Sequence, residues 1–87
     1  MNYYVFTRFI TKKEAINQYG KLGFAIHREA VIFEANNQKD AEELLKPYNY
    51  KKHIKFVFSH EVPITDENKD LYIPDQIIDL GVIRTLD

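Results

Sequence analysis

The stretch Thr11-Lys12-Lys13-Glu14-Ala15-Ile16-Asn17-Gln18-Tyr19-Gly20-Lys21-Leu22-Gly23 decides how this chain is folded. Thr11 and Glu14 have the spacing of a capping box, in which the hydroxyl accepts from the third helical N–H and the carboxylate reaches back. Ala15, Ile16, Tyr19 and Leu22 fall at i, i+1, i+4 and i+7, a single helical stripe. Gly20 and Gly23 stand where such a helix would stop, because glycine tolerates the left-handed conformation found there. The pattern predicts a first helix from Thr11 to the glycines.

On its N-terminal side, Tyr3-Tyr4-Val5-Phe6-Thr7-Arg8-Phe9-Ile10 is β-branched and aromatic and reads as a strand. Both of its faces are largely apolar, which suits a central strand or one covered by a second subunit. On the C-terminal side, residues 24–34 are β-like but interrupted by His27-Arg28-Glu29. They form either one merged long strand or two short strands turning at that triplet, and the break in both faces favours the hairpin. Asn36-Asn37 supplies N-cap chemistry for a helix over residues 38–46, with Ala41, Leu44 and Leu45 buried and Pro47 as its stop. A strand follows in which Ile54, Phe56, Phe58, His60 and Val62 share one face. Pro74 suits the start of a short helix over residues 75–80, with Gly81 ending it. Residues 82–86 then close as an edge strand.

The expected class is therefore α+β: a ferredoxin-like βαββαβ sandwich over residues 1–62. An acidic C-terminal extension, residues 63–87, adds the short helix and edge strand and packs on that core. The chain has 87 residues, 45% of them hydrophobic, which suffices for one core but not two. With no cysteine and three histidines, disulfide frameworks, thiolate metal sites and thiol nucleophiles are excluded. The N-terminus lacks the features of a signal peptide and no apolar run approaches bilayer length, so a cytoplasmic protein with no membrane partner is expected. Heavy use of Lys, Asn, Ile and Tyr suits a low-GC bacterium or its phage.

Charge is unevenly distributed. Residues 1–55 carry ten Lys/Arg against six Asp/Glu, a net of +4, whereas residues 56–87 carry two against seven, a net of −5. That asymmetry fits an acidic tail docked on a basic body, or two faces offered to different partners.

Val31-Ile32-Phe33-Glu34-Ala35 followed by Asp40-Ala41-Glu42-Glu43-Leu44-Leu45 resembles the strand-to-helix passage of RNA-recognition-motif domains, and equally that of dimeric α+β barrel proteins. The first resemblance implies exposed aromatics that stack bases. Gly23-Phe24-Ala25 resembles part of that family's signature, but Ile26-His27-Arg28-Glu29 does not continue it. Gly20-Lys21-Leu22-Gly23 matches the backbone-clamping GxxG of KH domains, but that loop joins two helices, and helix termination explains these glycines more simply. Asp66, Asn68 and Asp70 resemble the start of a calcium loop, yet Leu71 and Ile77 replace its required glycine and glutamate. An acidic surface loop is the better reading.

The loop Lys46-Pro47-Tyr48-Asn49-Tyr50-Lys51-Lys52-His53-Ile54-Lys55 interleaves cations and aromatics, the composition of a surface that meets phosphates and bases or an acidic protein. Catalytic apparatus is thin. Ser59 has no base placed beside it, and His60 reads as a core-edge residue rather than a general base. The leading expectation is a small non-catalytic protein-binding module of adaptor or inhibitor type, homodimeric and encoded by a phage or mobile element, with no cofactor or metal. Its contact residues would be Tyr48, Tyr50, Lys51, Lys52 and Lys55, then Asp66, Glu67 and Asp70, since tyrosine gives large contact area at low entropy cost. The alternatives are a nucleic-acid-binding domain using loop 46–55 and a small-ligand enzyme of the dimeric α+β barrel type using His60.

Overall fold

In the computed structural model, which describes residues 1–49 and 54–86, the deciding stretch makes the end of a long hairpin and not a helix. Strand β1 (Asn2–Ala15) and strand β2 (Leu22–Ala35) pair antiparallel without a register break, from Asn2 opposite Ala35 to Ala15 opposite Leu22. The turn between them shows what the two residues Asn17 and Gly20 are for. The Gly20 N–H donates to the Asn17 carbonyl (3.1 Å), and the Asn17 side-chain oxygen accepts from the amides of Tyr19 and Lys21. Gly20 has φ 72°, the left-handed geometry that closes the turn within the Ile16-to-Lys21 backbone hydrogen bond. Gly23 has a different task, because Ile16 occupies the space its side chain would need: a Cβ would stand 2.6 Å from Ile16 Cδ1.

The helical pattern loses for a physical reason. A short helix is marginal by itself in water, whereas the paired strands give Lys12 and Glu14 oppositely charged partners on neighbouring strands. The same partners keep β2 in one piece. His27 and Glu29 are buried and paired, so the polar triplet runs straight through where a turn was expected.

Helix α1 (Gln38–Leu45) follows expectation closely: Asn37 caps it, accepting from the Asp40 amide at 2.9 Å, and Ala41 and Leu45 are buried. Leu44, expected on the buried side, is exposed. Pro47 lies in a single 3-10 turn, Lys46–Tyr48. Strands β3 (Val57–Pro63) and β4 (Ile78–Leu86) complete a four-stranded antiparallel sheet of order β3-β1-β2-β4.

The class is α+β, but the element order among the described residues is ββαββ, so the ferredoxin-like βαββαβ order is not found. The short helix expected over residues 75–80 is also absent. Asp75 has φ 66° and donates its amide to the Ile32 carbonyl, which anchors this segment to β2, and Ile78 already begins β4. Residues 78–86 of the acidic extension thus lie in the sheet beside β2. The register breaks fall on the two outer strands, a common way to keep sheet edges from recruiting other chains.

The sheet buries one core on each face at the closed end of the molecule. Tyr4, Phe6, Val31, Phe33 and Ala35 pack under Ala41 and Leu45 of α1 and against Phe56. On the opposite face, Tyr3, Val5, Ala30 and Ile32 are covered by Ile64, Tyr72 and Ile78, with the Tyr72 ring stacked on Tyr3 at 4.8 Å. The apolar character of both sides of β1 is thereby explained within one chain.

Candidate binding face

Beyond these cores the hairpin continues for about half its length, and its two faces are unlike. Side chains alternate across a strand, so Phe9, Thr11, Lys13 and Ala15 of β1 share a face with Leu22, Phe24, Ile26 and Arg28 of β2. Phe9 lies opposite Arg28, and Phe24 lies opposite Lys13. Arg84 of β4 sits next to Ile26, and Leu86 next to Phe24. Phe9 and Phe24 are 60% and 51% exposed, and Leu22 is exposed as well. Among the described residues, this half of the face carries three cations and no acid. Lys13, Arg28 and Arg84 form no ion pair among the described residues.

The acids of this half of the hairpin, Glu14 and Glu29, are on the other side, held with Asp79 in a chain of ion pairs across three strands. Arg8 Nε donates to Glu29 (2.9 Å), and the Lys12 ammonium bridges Glu29 (2.8 Å) and Asp79 (2.9 Å). His27 stands between Asp79 (Nδ1, 2.9 Å) and Glu14 (Nε2, 2.6 Å). The Arg8 guanidinium also lies 4.2 Å from the centre of the Phe56 ring, which seals the chain against the core. With His27 protonated, three positive groups meet three negative ones. Only the doubly protonated imidazole donates to both carboxylates, and the bond to Asp79 above all holds the His27 pKa above its ordinary value, overcoming the opposing effect of burial. Burial pushes Glu29 up, but Lys12 and Arg8 outweigh it and hold the carboxyl below its usual range. Lys12, then the Gly81 amide and His27, hold Asp79 far lower. This network pairs Glu14 and Glu29, and the remaining acid of the hairpin, Glu34, lies opposite Tyr3 at the other end of the open face.

The residues expected to make contact are placed less favourably for that role. Tyr48 turns inward: its ring packs edge-on against Phe33 (5.4 Å) and its hydroxyl donates to the Asp75 carbonyl (2.9 Å). Lys55 is exposed, and Tyr50, Lys51 and Lys52 lie outside the described residues. Asn49 ties the loop's two ends together, its side-chain oxygen accepting from the Phe56 amide at 2.8 Å. Asp66, Glu67 and Asp70 are exposed on the turns between β3 and β4, where Lys69 lies 3.7 Å from Asp66. Asn68 organises that turn through the Thr65 amide and the Pro63 carbonyl.

His60 is exposed and not at a core edge. An extra residue, Ser59, shifts the β3 register, so Phe58 pairs with Phe6 while His60 pairs with Val5 on the other face. Ser59 Oγ does lie 2.9 Å from His60 Nδ1, a contact between chain neighbours that the sequence reading missed.

Phe9, Lys13, Phe24, Arg28 and Arg84 were also missed as a group. Residues 9–14 carry no apolar–polar alternation that would mark a strand, and the helical stripe of residues 11–23 pointed elsewhere. No family model, curated protein or solved structure matches this chain.

Proposed function

We propose that this protein is a small non-catalytic binding module that takes an anionic partner on the open face of its hairpin. One observation carries the reading: both exposed rings of this face have an unpaired cation directly across the strand pair, Phe9 with Arg28 and Phe24 with Lys13. A single exposed apolar side chain needs no explanation. A contiguous row of them on an uncovered sheet face is the usual mark of an interaction surface. A second copy of the chain is a poor occupant, because two such faces brought together would bury like charges without an acid to meet them. An adaptor or inhibitor acting on an acidic surface, and a nucleic-acid binder, both fall within this reading.

Retention on immobilised heparin, a polyanion without bases, tests it. Arg28→Glu and Arg84→Glu should each elute at lower salt than the unsubstituted protein. Lys39→Glu makes the same change of charge on the exposed surface of α1 and should elute close to it. Equal shifts in all three variants would assign retention to overall charge and overturn the reading.

A further inference from the structure

We infer that the anionic partner is a single strand of nucleic acid, its bases stacked on Phe9 and Phe24 and its phosphates met by Arg28, Lys13 and Arg84; this rests on the open-face reading above. Phe9 and Phe24 are offset by four residues along the hairpin, because Phe24 lies opposite Lys13. At about 3.4 Å per residue the rings are about 14 Å apart along the strands, a separation that admits more than one nucleotide. Thr11 and Ile26 fill the interval with small or aliphatic side chains, which leaves the path flat. A cation stands at each end and a third, Arg84, flanks the middle on β4.

Three features favour nucleic acid over an acidic peptide. The two exposed rings offer π-faces, and base stacking on such faces is tolerant of sequence and contributes independently of charge. Phe9 and Phe24 stack on no other aromatic ring of the described chain, and more than half of each is exposed. Each ring has a cation beside it instead of the cations clustering apart, which matches a polymer that carries one charge with each flat group. A duplex fits poorly, because its bases are already stacked on one another and this broad face offers no element to enter a groove.

The experiment is fluorescence anisotropy at low salt with labelled oligothymidylate and oligouridylate, the two arms separating DNA from RNA. A duplex of equal length and polyglutamate serve as competitors. At least one single strand should bind, with a salt slope near −2 for about three phosphate contacts. Phe9→Ala/Phe24→Ala should weaken it by roughly tenfold or more, as expected for losing two stacking platforms. Both rings are largely exposed, so this variant should melt like the parent. If it does not, Phe9→Leu/Phe24→Leu keeps the apolar bulk and removes only the rings. Failure of both oligonucleotides to bind, full affinity in the folded ring variants, or equal competition by duplex or polyglutamate would overturn the inference. Heparin retention through Arg28 and Arg84 without oligonucleotide binding would reject nucleic acid while leaving the open-face reading intact.

Discussion

Arg8 and Glu29 face each other across β1 and β2 at 2.9 Å, both side chains buried, midway between the apolar core and the free end of the hairpin. Removing one member of a buried pair leaves the other charge unmet and typically costs about 3–5 kcal/mol. Glu29→Gln also takes an acceptor from Lys12, which keeps only Asp79. Urea unfolding of Glu29→Gln should therefore show a loss of several kcal/mol, on the order of a buried pair broken. A loss under about 1 kcal/mol, the scale of surface pairs, would mean that the network is not closed to water.

His27 gives the fold a dependence on pH of defined sign. Its folded pKa lies above its unfolded one, so the stabilisation is complete below the unfolded value, about 6.5, and is lost as pH rises through the folded value. Melting temperature measured from about pH 6 upward should fall over that window in the parent protein, and His27→Gln should flatten the profile there. Asp79, held low, acts in the opposite direction: its contribution is present above the ordinary carboxylate value and disappears only in strong acid. An unchanged profile in His27→Gln would remove His27 from this role.

Gly20 tests the geometry of the hairpin turn. At φ 72° it occupies the left-handed region, where a Cβ is strained, so Gly20→Ala should destabilise by about 1 kcal/mol. Chemical denaturation of Gly20→Ala settles the sign.

Where sequence and structure agree, the signal was local. Asn37, Ala41 and Leu45 specify α1 through a cap and a stripe that need no distant partner, and Tyr3 to Phe6 are buried on both sides as their composition implied. Where they part, the deciding partner is remote. Lys12 pairs with Glu29 and Asp79, and His27 with Glu14 and Asp79, contacts that no window of neighbouring residues displays. The same remoteness concealed the candidate face: Phe9 and Arg28 come together only once the strand pairing is known. Ser59 adds a subtler case, since one extra residue was enough to move His60 to the opposite face from Phe58.

The central claim, that the open hairpin face is the working surface, is tested most directly by mapping backbone amide shifts in ¹⁵N-labelled protein. Titrations would use oligothymidylate and, separately, a heparin oligosaccharide. The largest changes should fall on residues 9–13, 24–28 and 84–86, with α1 (Gln38–Leu45) unperturbed. Changes centred on α1 or on Lys55, with the hairpin amides unmoved, would contradict it.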